Sequence, residues 1–180
     1  MKKIVCDFFL LLFFVSTSSA QAKQVDEKNN ALAVGLYRPV GSFNDSHAIG
    51  VGVNYWWRPF RQHKDSSNTK QIAFVLNGGV HYFIGKNITV SDYEFEFRNF
   101  FSTHIMPGLL YHPFKRSIIQ LSAGPTANLY KKNIRVGCGA NLFASYYLTE
   151  KISAGPVINF RKFSNTAALW NTGLTASYFF

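Results

Sequence analysis

In "LSAGPTANLYKK", residues 121–132, two classes of residue alternate without a break: Leu121, Ala123, Pro125, Ala127 and Leu129 against Ser122, Gly124, Thr126 and Asn128. A period of two is the signature of a strand whose faces meet different surroundings. The same alternation fills "IAFVLNGGVHYF", with Ile72, Phe74, Leu76, Val80 and Tyr82 against Ala73, Asn77, Gly79 and His81. It returns in "ISAGPVINFRKF", where Ile152, Ala154, Pro156, Ile158 and Phe160 oppose Ser153, Gly155, Asn159 and Arg161. Beyond the leader no segment sustains a helical period, so the chain reads as all-β.

Which face points inward is decided by the composition of the polar face. A soluble sandwich hides its apolar face and shows a charged one. Here the second face carries small and amide residues instead: Gly50, Gly52, Asn54, Asn77, Gly79, Gly108, Gly124, Gly137, Gly139, Asn141, Gly155, Asn171 and Gly173. Carboxylates avoid the strands altogether, since Asp26, Glu27, Asp45, Asp65, Asp92, Glu94, Glu96 and Glu150 all fall in the tail, loops or turns. An uncharged apolar band with small polar residues on the other face is the inverted pattern of a transmembrane barrel.

Counting strands by this rule gives eight, at 31–38, 47–58, 71–84, 101–112, 118–130, 134–148, 152–163 and 168–180. An even number suits an antiparallel up-and-down transmembrane β-barrel with both termini on one side. Segments 39–46, 85–100, 131–133 and 164–167 then face the cell exterior, and turns 112–117 and 148–151 face the periplasm. Residues 59–70 make one unusually long periplasmic connection. Tyr55, Trp57, Tyr111 and Tyr146 fall where an interfacial aromatic ring is expected.

The first 22 residues have Lys2 and Lys3, an apolar run from Phe8 to Val15, and small residues at Ala20 and Ala22. They read as a secretory signal peptide (1–22), followed by a periplasmic tail (23–30) and the barrel domain (31–180). The apolar run is too short to cross a bilayer. Loss of Lys2, Lys3 and Asp7 from totals of 19 basic and 9 acidic residues leaves 17 and 8, a net charge of +9 with histidines neutral. One cysteine, Cys138, remains, which excludes an intrachain disulfide framework.

The chain ends in "GLTASYFF". Here it resembles small eight-stranded bacterial outer-membrane barrels, whose last strand commonly finishes on an aromatic residue after alternating apolar ones. The resemblance implies outer-membrane localisation, pairing of the last strand with the first, and recognition of Tyr178 and Phe180 by the barrel-assembly machinery.

One stretch raises the question of catalysis. "RKFSNTAALWNTG", residues 161–173, resembles the lipid A 3-O-deacylase family, in which a His-x-Ser-Asn motif and a later glutamate form a triad. Ser164 and Asn165 match the Ser-Asn pair, but Lys162 stands at the histidine position and Thr175 or Ala176 at the glutamate position. A hydroxyl nucleophile needs a base and a group to orient it. Ser164 and Asn165 are therefore expected to be turn residues. His81 and His104 share the inner face with no carboxylate or thiol, so no metal site is expected. No cofactor is implied, and an exported chain with lipid-facing aromatics is not expected to bind nucleic acid.

The basic residues suit anionic lipid. Arg38, Lys131, Lys132, Arg161 and Lys162 are expected near the outer rim, where lipopolysaccharide phosphates would meet them. The expected function is that of a monomeric, non-enzymatic barrel with an envelope-structural or surface-interaction role, its partners being outer-membrane lipids and lipopolysaccharide. The alternatives are a lipid A-modifying hydrolase and a narrow channel, the latter disfavoured because side chains can fill the interior of eight strands.

Overall fold

The computed structural model describes residues 30–59, 72–90, 92–114, 116–130 and 133–180. The expected signal peptide, and the tail before Asn30, lie outside the described residues, as do Lys131 and Lys132. Eight strands close into one antiparallel barrel: β1 (Asn30–Val40), β2 (His47–Trp57), β3 (Ile72–Gly85), β6 (Phe100–Tyr111), β7 (Ser117–Tyr130), β8 (Asn133–Tyr147), β9 (Ile152–Phe163) and β10 (Leu169–Phe179). A short helix, α1 (Ser42–Ser46), and a separate hairpin of β4 (Asn87–Val90) and β5 (Tyr93–Glu96) decorate one end.

All eight expected strands are present, with shifted ends. β1 starts at Asn30, one residue inside the expected tail, and runs on to Val40. The expected loop 85–100 contains β4 and β5, and Asn133 already belongs to β8. Closure runs through the two chain ends: Leu32 faces Tyr178 and Val40 faces Trp170. Beyond the ladder, the Phe180 N–H donates to the Asn30 carbonyl at 3.0 Å and the Asn30 N–H to the Phe180 carbonyl at 3.3 Å. No barrel strand is left with a free edge.

The inverted reading of the faces holds residue by residue. On β7 the inner face is Ile118, Gln120, Ser122, Thr126 and Asn128, all buried, while Ile119, Leu121 and Leu129 are exposed on the outside. Outward aromatics form two belts. Tyr55, Trp57, Tyr111, Tyr146, Tyr178 and Phe180 circle the end that carries the termini, and Tyr82, Phe101, Phe160 and Trp170 lie toward the loop end. The second belt was not anticipated: it gathers Tyr82 on β3, Phe101 on β6, Phe160 on β9 and Trp170 on β10, and the stagger of neighbouring strands sets their height.

Three outward prolines leave marks on the ladder. Pairing of β6 with β7 skips from His104–Thr126 to Gly108–Ser122, across Pro107 and Pro125. Pairing of β8 with β9 skips from Phe143–Val157 to Tyr146–Ala154, across Pro156. Proline brings no N–H to a ladder, so each gap follows from the residue type.

Apolar residues plug both ends of the lumen. At the terminal end Trp56 packs edge-on against Phe143 at 4.7 Å, and Phe179 sits between Tyr147 at 5.1 Å and Trp56 at 6.0 Å, over Val75, Leu110 and Ile118. Arg58 lies 5.6 Å from the Phe179 ring centre, within cation–π range. At the loop end Gly41 takes φ +63°, a left-handed conformation that glycine adopts without strain. That turn tucks Phe43 of α1 into the mouth, 5.0 Å from Phe83 and 5.5 Å from Phe100. A register shift between His47 and Gly50 turns His47 inward to join this cap, 4.8 Å from Phe43.

Candidate functional site

Between the two plugs lies a belt of polar side chains. Asn54 on β2 donates to the Tyr37 hydroxyl at 3.0 Å, and its carbonyl oxygen lies 3.2 Å from His81 Nε2. The rings of His81 and His104 are 5.2 Å apart. His104 then meets Arg161 through Nδ1 at 3.4 Å, and Arg161 Nη1 donates to Asn141 Oδ1 at 2.6 Å and to the Phe160 and Ala140 carbonyls at 2.8 and 3.2 Å. Asn159 donates to Asn171 at 2.7 Å alongside. Glycines make the belt possible. A Cβ at Gly52 would overlap His81 Cδ2, one at Gly79 would lie 2.7 Å from His104 Cε1, and one at Gly139 2.7 Å from Arg161 Cδ. These glycines serve close packing in a narrow lumen.

The rim cations divide between the two faces. Arg38 and Lys162 point outward and are exposed, Arg38 opposite Thr172 and Lys162 opposite Cys138. Arg161 does not join them. Only 3% exposed, it is turned into the lumen, which corrects its expected place among lipopolysaccharide contacts. Parity already carried the signal, since Arg161 shares the odd-numbered face of β9 with Ser153, Val157 and Asn159.

The deacylase-like segment is a hairpin turn. Ser164 and Asn165 are exposed, and Asn165 has φ +56°, a left-handed value that asparagine tolerates. Lys162 Nζ donates to the Thr166 carbonyl, and Thr175 is buried in the lumen, donating to the Gly155 carbonyl at 3.3 Å. The groups at the expected base and acid positions are thus engaged elsewhere. Lipid A from cells with and without the protein should show the same acylation by mass spectrometry, and Ser164→Ala should change nothing. An acyl loss that Ser164→Ala abolishes would make this segment a catalytic site.

At the loop end, β4 and β5 continue the chain beyond the barrel. The Phe97 N–H donates to the Lys86 carbonyl at 2.9 Å, and Asn99 Oδ1 accepts from the Gly85 N–H at 3.1 Å, which fixes the base of the hairpin. Ile88 faces Phe95 across the ladder, while Asn87 faces Glu96 and Thr89 faces Glu94. One side is therefore apolar and the other acidic. Tyr93 is 74% exposed and Phe95 51% exposed, and this pair of strands belongs to a sheet separate from the barrel.

No family model matches the sequence, and no curated protein matches it. Solved structures do share the fold. The crystal structure of Ail, the attachment invasion locus protein of Yersinia pestis, is 9% identical, with a TM-score of 0.55, and the match covers 86% of this chain and 100% of that one. Ail in complex with the heparin analogue sucrose octasulfate gives 11% identity and a TM-score of 0.54, with the same coverage of 86% and 100%. Its backbone structure in a phospholipid bilayer nanodisc gives 11% and 0.50, again covering 86% and 100%. The chain shares the closed eight-stranded barrel fold of these outer-membrane proteins, closes its sheet within one chain, and turns an apolar face outward between two aromatic belts.

Proposed function

We propose that this outer-membrane barrel is a non-enzymatic surface-interaction protein that holds the β4–β5 hairpin out from the cell for a partner in the exterior. The observation that carries this reading is the unpartnered apolar side of that hairpin. A two-stranded hairpin is marginal alone, and exposed aromatics on it mark an interaction surface. Asp92, Glu94 and Glu96 are exposed on the same projection, so an anionic lipid surface would repel it and a basic protein surface would not. The barrel supplies a rigid mount, its lumen plugged at both ends by aromatic side chains. In this orientation the exposed Arg38 and Lys162 would meet lipopolysaccharide phosphates at the rim.

The test is adherence of bacteria that express the protein to layers of cultured cells. Tyr93→Ser with Phe95→Ser should lower adherence several-fold toward the level of non-expressing bacteria, at equal surface abundance measured by antibody. Equal adherence by expressing and non-expressing bacteria would remove the surface-interaction reading.

A further inference from the structure

Arg161 and His104 leave donors without acceptors in the central belt. Arg161 brings a guanidinium, always charged, into a lumen where no described carboxylate follows it: Asp45, Asp92, Glu94, Glu96 and Glu150 all lie outside the lumen. A buried cation without a counter-charge is strongly destabilising. Its hydrogen bonds go to neutral oxygens and one imidazole nitrogen, and its Nε is buried with no partner.

The shortage repeats at His104. Its Nδ1 faces Arg161 Nη2 and its Nε2 faces Asn141 Nδ2, each at 3.4 Å. Both neighbours are donors, and a neutral imidazole has one lone pair, a protonated one none. Turning the Asn141 amide over does not help, because it would set Nδ2 against Arg161 Nη1 at 2.6 Å. One N–H at His104 and another on Arg161 Nε therefore lack acceptors in the same place. A water would accept hydrogen bonds but leave the charge uncompensated. An anion answers both deficits.

We propose that the lumen binds a small monovalent anion of the halide class beside Arg161 and His104, as the missing counter-charge of the belt. Phe43, Phe83, Phe100 and Phe163 close the loop end and Trp56, Phe143 and Phe179 the other, so the ion is taken up as the barrel folds and exchanges slowly.

The mature chain can be refolded into detergent micelles in sodium bromide, chloride or gluconate at one ionic strength, and its thermal unfolding followed by circular dichroism. Bromide and chloride should raise the midpoint saturably, by about 5 °C over gluconate at saturation. Arg161→Met, which removes the charge and keeps much of the volume, should unfold at the same midpoint in all three salts. Crystals of the unmutated protein grown in bromide should show an anomalous peak in contact with Arg161, a readout that stands if the variant does not fold. Equal midpoints in the three salts for the unmutated protein, a halide effect that survives Arg161→Met, or no bromide beside Arg161 would each overturn the proposal.

Discussion

Phe180→Ala should sharply reduce the amount of protein in the outer membrane of living cells, yet leave a chain that folds in lipid vesicles with a small loss of stability. Phe179→Ala should do the reverse. The two residues adjoin in sequence and point to opposite sides of the wall: Phe179 is 1% exposed inside the terminal plug, and Phe180 is 52% exposed on the lipid side, its ring 6.3 Å from Tyr178 and 6.5 Å from Tyr55. Truncating Phe179 empties the space between Trp56 and Tyr147 and removes the ring under Arg58, at a cost of about 3–5 kcal/mol. Truncating Phe180 gives up at most one partly covered side chain, roughly 1.5–3 kcal/mol by area.

Substitution is preferred to deletion because Phe180 also exchanges two backbone hydrogen bonds with Asn30 at the closure. We propose that Tyr178 and Phe180 are read by the assembly machinery while the strand is still unpaired. The checks are immunoblots of outer-membrane fractions and urea unfolding of refolded protein. Normal membrane abundance of Phe180→Ala would remove the signal role.

A second large effect is expected at Gly155. A Cβ there would overlap the Ala144 carbonyl oxygen and lie 2.6 Å from Ser145 Cα, both backbone atoms of the neighbouring strand. No side-chain rotation relieves such a contact, so β8 and β9 would have to separate beside the gap that Pro156 already leaves. Gly155→Val should destabilise the refolded barrel by about 3 kcal/mol or more. Gly78 is the control. A Cβ at that position would meet nothing closer than the His104 carbonyl oxygen at 3.8 Å, so Gly78→Ala should stay within about 0.5 kcal/mol. Equal urea midpoints for the two variants would mean that the β8–β9 seam yields more easily than its geometry indicates.

The small, uncharged make-up of one face set the inside-out sense of the wall, and alternation determined the fold class and the strand count, because a strand places successive side chains on opposite faces whatever its neighbours are. It also placed Gly52, Gly79 and Gly139 in the lumen before any contact was known. Tertiary structure decided what parity leaves open. Neighbouring strands are staggered, so residues distant in sequence arrive at one height: Arg161 on β9, His104 on β6 and Asn141 on β8 meet only because the registers bring them level. Arg161 shows the limit clearly. A cation two residues from the end of a strand suggests a rim contact, yet its odd-numbered position turns it inward, and only the packed lumen reveals that it arrives there without a carboxylate. The β4–β5 hairpin was hidden for a related reason. Four-residue strands carry too few alternations to stand out from a loop, and their pairing is fixed by contact across the turn rather than by period.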